Sequence, residues 1–389
     1  MKVRTRAMVL KVAQRGLIPP FIVMEVMRAA NERQAKGEDV FHLEVGQPET
    51  GAPGPVIAAA KVALSSDTLG YTEALGLPAL RRRIAEHYKD RYGADVDPSR
   101  VVVTTGSSAA FMLSFLAAFE PGDRVALANP SYPGYRNILL ALGVTPVTLP
   151  AGPDSRFQPS VELLRRAGGP LDGLIVASPS NPAGTVLGAS ELGALSGYCA
   201  DKGIRLISDE IYHGITYGRE TATALSTTDD AVVVNSFSKY FSMTGWRLGW
   251  MVVPADLARA IECLAQNLFI SPPTLSQHAA IAVFDCRDEL DANVARYANN
   301  RELLLDRLPK AGFDRLAPAD GAFYIYADVG ELTDDSEDFC RRMLTETGVA
   351  TTPGIDFDEE RGGRFIRFSY AGATGDMEEA AERLRAWRH

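Results

Sequence analysis

A chain of 389 residues, 46% hydrophobic and 23% charged, can bury a large core, and its length favours two or three structural units over one. Its net charge of -9 argues against a general nucleic-acid binder, which needs surplus lysine and arginine to displace counterions from phosphates. The four cysteines, Cys199, Cys263, Cys286 and Cys340, are too widely separated for a zinc site or a disulfide framework, so reduced thiols and no metal are expected.

In chain order, the first 24 residues carry Lys2, Arg4, Arg6, Lys11 and Arg15 and no acid. That is faintly like an organelle presequence, yet serine and an apolar signal core are missing. The longest nearly apolar run, Ala109 to Phe119, falls well short of the ~20 residues needed to cross a bilayer. A cytoplasmic protein with no membrane partner is the expectation. Val23, Met24, Met27 and Ala30 recur at helical spacing before Gly37, which predicts a helix over 20–36. Gly46 lies in a loop rich in glycine and proline, followed by a helical segment around Val56 to Leu64. Such a loop either lets backbone amides approach a ligand or simply connects two elements.

From Val101 the pattern alternates. Strands are predicted at Val101–Thr104, Arg124–Ala128, Val144–Leu149, Leu174–Ala177, Ile204–Ser208 and Val232–Val234, with helices at Ala109–Phe119, after Tyr132 and at Leu192–Lys202. Short β-rich runs separated by helices call for an α/β fold, a mostly parallel sheet covered by helices on both faces. In such sheets ligands collect at the carboxyl ends of the strands. From about Val283 the character changes, with charged helical sequence at Arg296–Arg307, short strands at Gly321–Tyr326 and Arg364–Tyr370, and a final helix with Met377, Ala380, Ala381, Leu384 and Trp387 on one face. This reads as a smaller α+β domain that the N-terminal helix joins. The expected division is a large domain at 46–282 and a discontinuous small one at 1–45 and 283–389.

The chemistry-bearing residues fall at strand ends. Thr105-Gly106-Ser107-Ser108 lies between strand and helix, where amides and hydroxyls either cup a phosphate or cap the helix. Tyr132, in Asn129-Pro130-Ser131-Tyr132-Pro133, would lie over a planar heterocycle or pack on proline. Asn181 would hold a phenolate oxygen or form an Asx turn. Asp209, with Tyr212 three residues on, is a carboxylate at the end of a buried strand and needs a partner, either a protonated ring nitrogen or an internal arginine. Ser236-Phe237-Ser238-Lys239 places a lysine at another strand exit, with Arg247 eight residues on. A lysine beside a second cation and partly removed from water is more often the free amine that attacks an aldehyde. One common small molecule uses all of these groups: pyridoxal 5'-phosphate, with an aldehyde, a 3-oxygen, a ring nitrogen and a phosphate.

With these residues in place, the chain resembles the class I/II pyridoxal-phosphate aminotransferases of fold type I, the aspartate aminotransferase superfamily, from Gly46 to Arg367. The resemblance rests on Ser236-Phe237-Ser238-Lys239 with Met243-Thr244-Gly245-Trp246-Arg247-Leu248-Gly249, on Asn181-Pro182-Ala183-Gly184 and on Asp209-Glu210-Ile211-Tyr212. It implies that Lys239 bonds covalently to the cofactor, Asp209 pairs with its ring nitrogen, Asn181 and Tyr212 contact the 3-oxygen, and Tyr132 stacks on the ring. Gly106, Ser107, Ser108, Ser236 and Arg247 would cradle the phosphate, with Tyr71 reaching the phosphate of a neighbouring subunit in a homodimer of shared active sites. Arg367, in Arg364-Phe365-Ile366-Arg367-Phe368-Ser369-Tyr370, would clamp the substrate α-carboxylate, helped by Gly46 and Asn181 and covered by Ile18 on a closing N-terminal segment.

Two departures from the family pattern stand out. Asp358 follows Phe357 where the family often has glycine, which alters a turn. Ser108 occupies the position where aspartate-selective members of one subgroup carry a lysine for the distal carboxylate, leaving Arg15 as the substitute cation. The implied activity is transfer of an amino group from an L-amino acid to a 2-oxo acid in two half-reactions. A cysteine-conjugate β-lyase uses the same cofactor residues and is the enzymatic rival; a non-catalytic ligand sensor on this fold is the remote one. A Ser-x-x-Lys acyl enzyme lacks its companion motifs, and no Gly-x-Gly-x-x-Gly or Walker loop supports a nucleotide enzyme.

Overall fold

The computed structural model of the protein describes residues 10–388; Lys2, Arg4 and Arg6 of the basic N-terminal run lie outside them. Helix α1 (Ile22–Gln34) precedes the short strand β1 (Phe41–His42), and α2 (Gly54–Ser66) and α3 (Pro78–Tyr92) lead into the main sheet. That sheet contains β2 (Val101–Thr104), β3 (Arg124–Asn129), β4 (Thr145–Pro150), β5 (Gly173–Ala177), β6 (Arg205–Asp209), β7 (Val232–Ser236) and β8 (Gly249–Val252). Two helices with site residues at their starts, α4 (Gly106–Ala118) and α5 (Pro133–Leu142), follow β2 and β3.

The strand order is β2-β8-β7-β6-β5-β3-β4, parallel except at β8, which runs antiparallel to both neighbours. The sheet is therefore mostly parallel, as expected, with one reversed strand that the β-run count missed. Residues 237–248 contain only a single 3-10 turn, Thr244–Trp246, and no α-helix to cross over a face of the sheet, and the chain turns back beside β7. The result is that Thr104, Ser236 and Gly249 share one edge, together with the carboxyl ends of β3, β5 and β6.

The apolar runs explain the layering. Val232, Val233 and Val234 are all fully buried, as strands covered on both faces must be. Helix α4 buries Ala109, Ala110, Phe111, Leu113 and Phe115 and is apolar around most of its circumference, so it packs inside rather than against solvent. Helix α3 went unread because its buried positions, Leu80, Ile84, Ala85 and Tyr88, are set among nine charged or polar neighbours whose composition hides the stripe.

Four antiparallel strands form a second sheet in the order β12-β13-β10-β9, made of β9 (Arg315–Leu316), β10 (Tyr324–Asp328), β12 (Thr352–Pro353) and β13 (Phe365–Ser369). Strand β11 (Val349–Ala350) pairs in parallel with β1. Helix α1 lies against β11 and β12, with Ala30 buried beside Leu344 and Ala350. All four cysteines are free thiols. Among the described residues no helix is long and apolar enough to cross a membrane, and no cluster of His, Cys, Asp and Glu is arranged to hold a metal ion.

The lysine segment is anchored through its neighbour. Phe237 is 0% exposed and packs on Trp250 at 4.8 Å, Phe241 at 5.3 Å and Phe284 at 5.8 Å between ring centroids. Trp250 in turn donates through Nε1 to Tyr88 Oη at 3.2 Å. Phe237→Ala is expected to cost about 3–5 kcal/mol, the usual range for emptying a buried aromatic site. Chemical denaturation of both proteins checks this; a loss below about 1 kcal/mol would mean the cluster does not hold the segment.

Candidate active site

The strand ends converge on one pocket of about 220 Å³. It is lined by Gly46, Ser107, Ser108, Tyr132, Asn181, Asp209, Tyr212, Lys239, Arg247 and Arg367, so ten of the fourteen residues singled out from the sequence meet there. Gly106 lies directly beneath: a Cβ at this residue, whose φ is +72°, would fall 2.4 Å from Arg247 Nη2. Only glycine both adopts that backbone and leaves room for the guanidinium. Three residues lie elsewhere. Ser236 is buried below the surface of the pocket, its hydroxyl donating to Ser238 Oγ at 3.0 Å and Leu248 O at 3.3 Å, and Ser238 lines the cavity in its place. Tyr71 is 84% exposed and Ile18 44%, and neither reaches the pocket of its own chain. Arg15 is likewise exposed and does not line the pocket of its own chain.

Lys239 donates from Nζ to Gly46 O at 2.5 Å. Burial pushes its amine down to about 8, helped first by Arg367 and less by Arg247, while Asp209 opposes the shift. The sequence pointed to Arg247 as the neighbouring cation; the greater influence belongs to Arg367, which comes from β13 and could not be placed beside Lys239 by spacing along the chain.

Asp209 is buried at the end of β6 and pushed up to about 6, mainly by loss of solvent. Its Oδ2 accepts from Tyr135 Oη and its Oδ1 from Ile211 N at 3.1 Å. Of the two partners weighed for this carboxylate, the internal arginine is not found among the described residues, and a phenol takes that side. Tyr135 escaped notice although it lies three residues after Tyr132 in α5, one turn along the same face. Tyr132 itself packs edge-on against Phe21 at 5.7 Å and Tyr135 at 5.2 Å.

At the start of α4 the two serines do not serve as the helix cap. Thr105 occupies the N-cap position and its side chain makes no capping bond, while Ser107 and Ser108 fall inside the first turn, where backbone N–H groups lack helical partners. Neither serine hydroxyl has a partner among the described residues. Arg247 closes the same corner, donating from Nη1 to Thr244 O at 3.1 Å. The group is an array of unsatisfied donors beside a guanidinium, which suits a phosphate.

Arg367 is 2% exposed and forms no ion pair among the described residues. Nη1 donates to Asn181 Oδ1 at 2.8 Å, Nη2 to Glu44 O and to Thr352 Oγ1 at 3.1 Å, and buried Nε has no partner. The guanidinium is held between the rings of Tyr324 at 4.3 Å and Phe357 at 4.8 Å, the geometry of cation–π contacts on both faces. Asn181 is thus committed to Arg367 and not to an Asx turn. Tyr324 also donates to or accepts from Tyr212 through the two hydroxyls at 2.7 Å. Its own hydroxyl lies 1.7 Å from where a Cβ would stand on Gly46, so the absent side chain at 46 is what admits it. Tyr324 was read only as part of a strand; nothing in Phe323-Tyr324-Ile325-Tyr326 tells which alternate face meets the pocket.

Comparison with known proteins agrees with this arrangement. Residues 38–384 match the family described as aminotransferase class I and II. The chain is 54% identical over 381 residues to the valine–pyruvate aminotransferase of Mycobacterium tuberculosis, covering 97% of this chain and 98% of that one. Among solved structures, an aminotransferase from Mycobacterium tuberculosis superposes with a TM-score of 0.96 at 54% identity, over 97% of this chain and 99% of that one. An aspartate aminotransferase from Thermus thermophilus with maleate gives 0.91 at 30% identity, over 97% and 100%.

In the cofactor-free protein the Lys239 amine is expected to react with a small acylating reagent along a titration with its midpoint near 8. Arg367→Leu removes a like charge and should move that midpoint upward. Labelling followed by peptide mass spectrometry across pH reads both, and an ordinary lysine midpoint in the unmodified protein would contradict the electrostatic account.

Proposed function

The chain belongs to the class I and II aminotransferases of fold type I and transfers an amino group from an amino acid to a 2-oxo acid, and on that premise we propose which of its residues do so and on what substrates. The family depends on pyridoxal 5'-phosphate, and the residues present fit that group. The unsatisfied donors at Ser107 and Ser108, with Gly106 and Arg247, would hold its phosphate; Lys239 would carry the covalent link; Asp209 would face its ring nitrogen; Tyr212 and Asn181 would lie at its 3-oxygen and Tyr132 over its ring. Bound there, the cofactor supplies a conjugated ring that accepts electron density from the substrate α-carbon.

The chain's own contributions follow from the electrostatics. A Lys239 amine near 8 is partly unprotonated at neutral pH, so Nζ can take the α-proton of the substrate and later return it. Asp209, pushed up to about 6 by burial, becomes more firmly a carboxylate when a cation arrives opposite, and so holds a proton on the facing nitrogen. Arg367 would bind the substrate α-carboxylate. This is the observation that carries the reading: a buried guanidinium without an ion pair, with an unpartnered Nε–H, opens onto the same pocket as a lysine of lowered basicity. Leaving such a charge uncompensated is costly, and an incoming carboxylate relieves it.

Phe21, Val23, Met24 and Tyr132 line the same pocket, and the lining cations are Lys239, Arg247 and Arg367, each with a role already. Among the described residues that line it, no further cation awaits a distal carboxylate. With the printed name of the relative from Mycobacterium tuberculosis, this supports a donor with a neutral aliphatic side chain, such as valine, and a small acceptor such as pyruvate. The pocket draws residues from both proposed lobes, 46–282 and the discontinuous 1–45 with 283–389. The exposure of Tyr71, together with that of the apolar residues Val62 and Leu64, supports a homodimer in which Tyr71 completes the partner's phosphate site.

The holoenzyme titrated with valine should lose its absorption near the visible edge as the amino group is taken up, and pyruvate should restore it. Lys239→Ala should bind cofactor without turnover; a near-normal rate would remove Lys239 from the mechanism. Arg367→Ala should raise KM for valine about 10- to 100-fold, the loss expected when a charged hydrogen-bond partner disappears. Aspartate turned over as well as valine would contradict the neutral side-chain assignment.

A further inference from the structure

Helix α1 lacks a cap of its own. Phe21 at the N-cap makes no side-chain capping bond, and the first N–H groups of a helix need outside acceptors. They find one more than 300 residues away in sequence: Asp356 accepts from Ile22 N through Oδ1 at 3.1 Å and from Val23 N through Oδ2 at 3.3 Å. Asp356 is 2% exposed and forms no ion pair among the described residues. Its charge rests on the two amides, on the positive end of α1, and on the more distant Arg367 and Arg136. A buried carboxylate kept in this setting costs stability, which directs attention to what it holds.

It holds the wall of the substrate pocket. Phe21, Val23 and Met24, the first turn of α1 and the residue before it, all line the cavity, and Phe21 sets its edge against Tyr132. The next residue along from Asp356 is Phe357, whose ring lies 4.8 Å from the Arg367 guanidinium. Two consecutive residues therefore fasten two functional surfaces: one secures the apolar wall, the other supports the carboxylate clamp. We propose that Asp356 is a positioning residue for substrate selectivity, which fixes the wall formed by Phe21, Val23 and Met24 at a set offset from Arg367 and thereby favours branched aliphatic amino acids over alanine.

The proposal rests on reading the pocket as an amino-acid site. A substrate gripped by Arg367 places its side chain against a wall whose distance from the clamp is set through Asp356–Phe357. A methyl side chain is too short to use that wall; a branched one is not.

The test compares kcat/KM for valine and alanine in the holoenzyme, in Asp356→Asn, in Phe21→Ala and in the double variant. Asparagine keeps the shape but turns a donor toward one of the two amides. The valine-to-alanine ratio should fall about tenfold in Asp356→Asn, the discrimination that one or two methyl groups carry in an apolar pocket. The fall should come through KM for valine, with kcat/KM for alanine changing much less. Phe21→Ala should lower the ratio similarly, and the double variant should add little, because both changes remove the same wall.

An unchanged ratio, a parallel fall for both substrates, or effects that multiply would overturn the proposal. Hydrogen exchange on the unmodified holoenzyme provides a check that no variant's folding can spoil: the Ile22 and Val23 amides should be protected like the middle of α1, and rapid exchange there would also overturn it. Failure of the enzyme to use either amino acid while holding cofactor would refute the substrate reading instead, and leaves the exchange measurement to judge the clasp.

Discussion

A guanidinium removed from water with no carboxylate beside it governs much of this molecule. Arg367 is tolerated because two aromatic faces, a side-chain amide, a backbone carbonyl and a threonine hydroxyl share its charge, yet one N–H is left over. The same charge, added to burial, lowers the basicity of Lys239. Removing solvent makes both effects larger than they would be at a surface. The pocket is thus organised by one unmet electrostatic requirement, and the elements around it can be understood by how they sustain it.

The sheet does so by bringing distant segments to one edge. Parallel strands deliver Asp209, Asn181 and the Tyr132 loop at their carboxyl ends, while the reversed β8 returns Arg247 to the same edge as Lys239. The second sheet contributes Arg367 and Tyr324 from adjacent antiparallel strands, β13 and β10, in which Tyr326 pairs with Arg367 and Tyr324 with Ser369. The site is consequently shared between a rigid parallel framework and a smaller antiparallel one, and neither alone holds both the amine and the guanidinium.

Residues whose role is declared by local order were legible from the sequence. Lys239 and Asn181 follow buried strands and Asp209 ends one, so their place at one end of the sheet could be read from the order of strands and exits. Ser107 and Ser108 were legible as a pair of readings, of which the position of α4 removes the cap. What stayed hidden depends on tertiary proximity. Tyr135 could not be matched to Asp209 because the two belong to different strand–helix units. Tyr324 looked the same as Tyr326 in an alternating run. Asp356 looked like an acid in a turn, since its partners, the amides of Ile22 and Val23, are backbone groups that leave no mark in composition. Strand β8 was masked by its leading glycine and its shortness within a segment already conspicuous for its lysine and arginine.

The reversed strand carries one more consequence. Lys239 and Arg247 belong to a single connection, 237–248, whose two ends are pinned by the pairing of Ser236 with Gly249. Their separation is therefore quantised by strand register and cannot be adjusted by small shifts in packing. Side chains within the connection are free to vary so far as their own contacts allow, but a change of length that slipped β8 by one residue would turn its alternating faces over, exchanging Trp250 and Met251 between the two buried sides of the sheet. In this chain the connection that carries Lys239 and Arg247 is thereby held at both ends by the sheet itself.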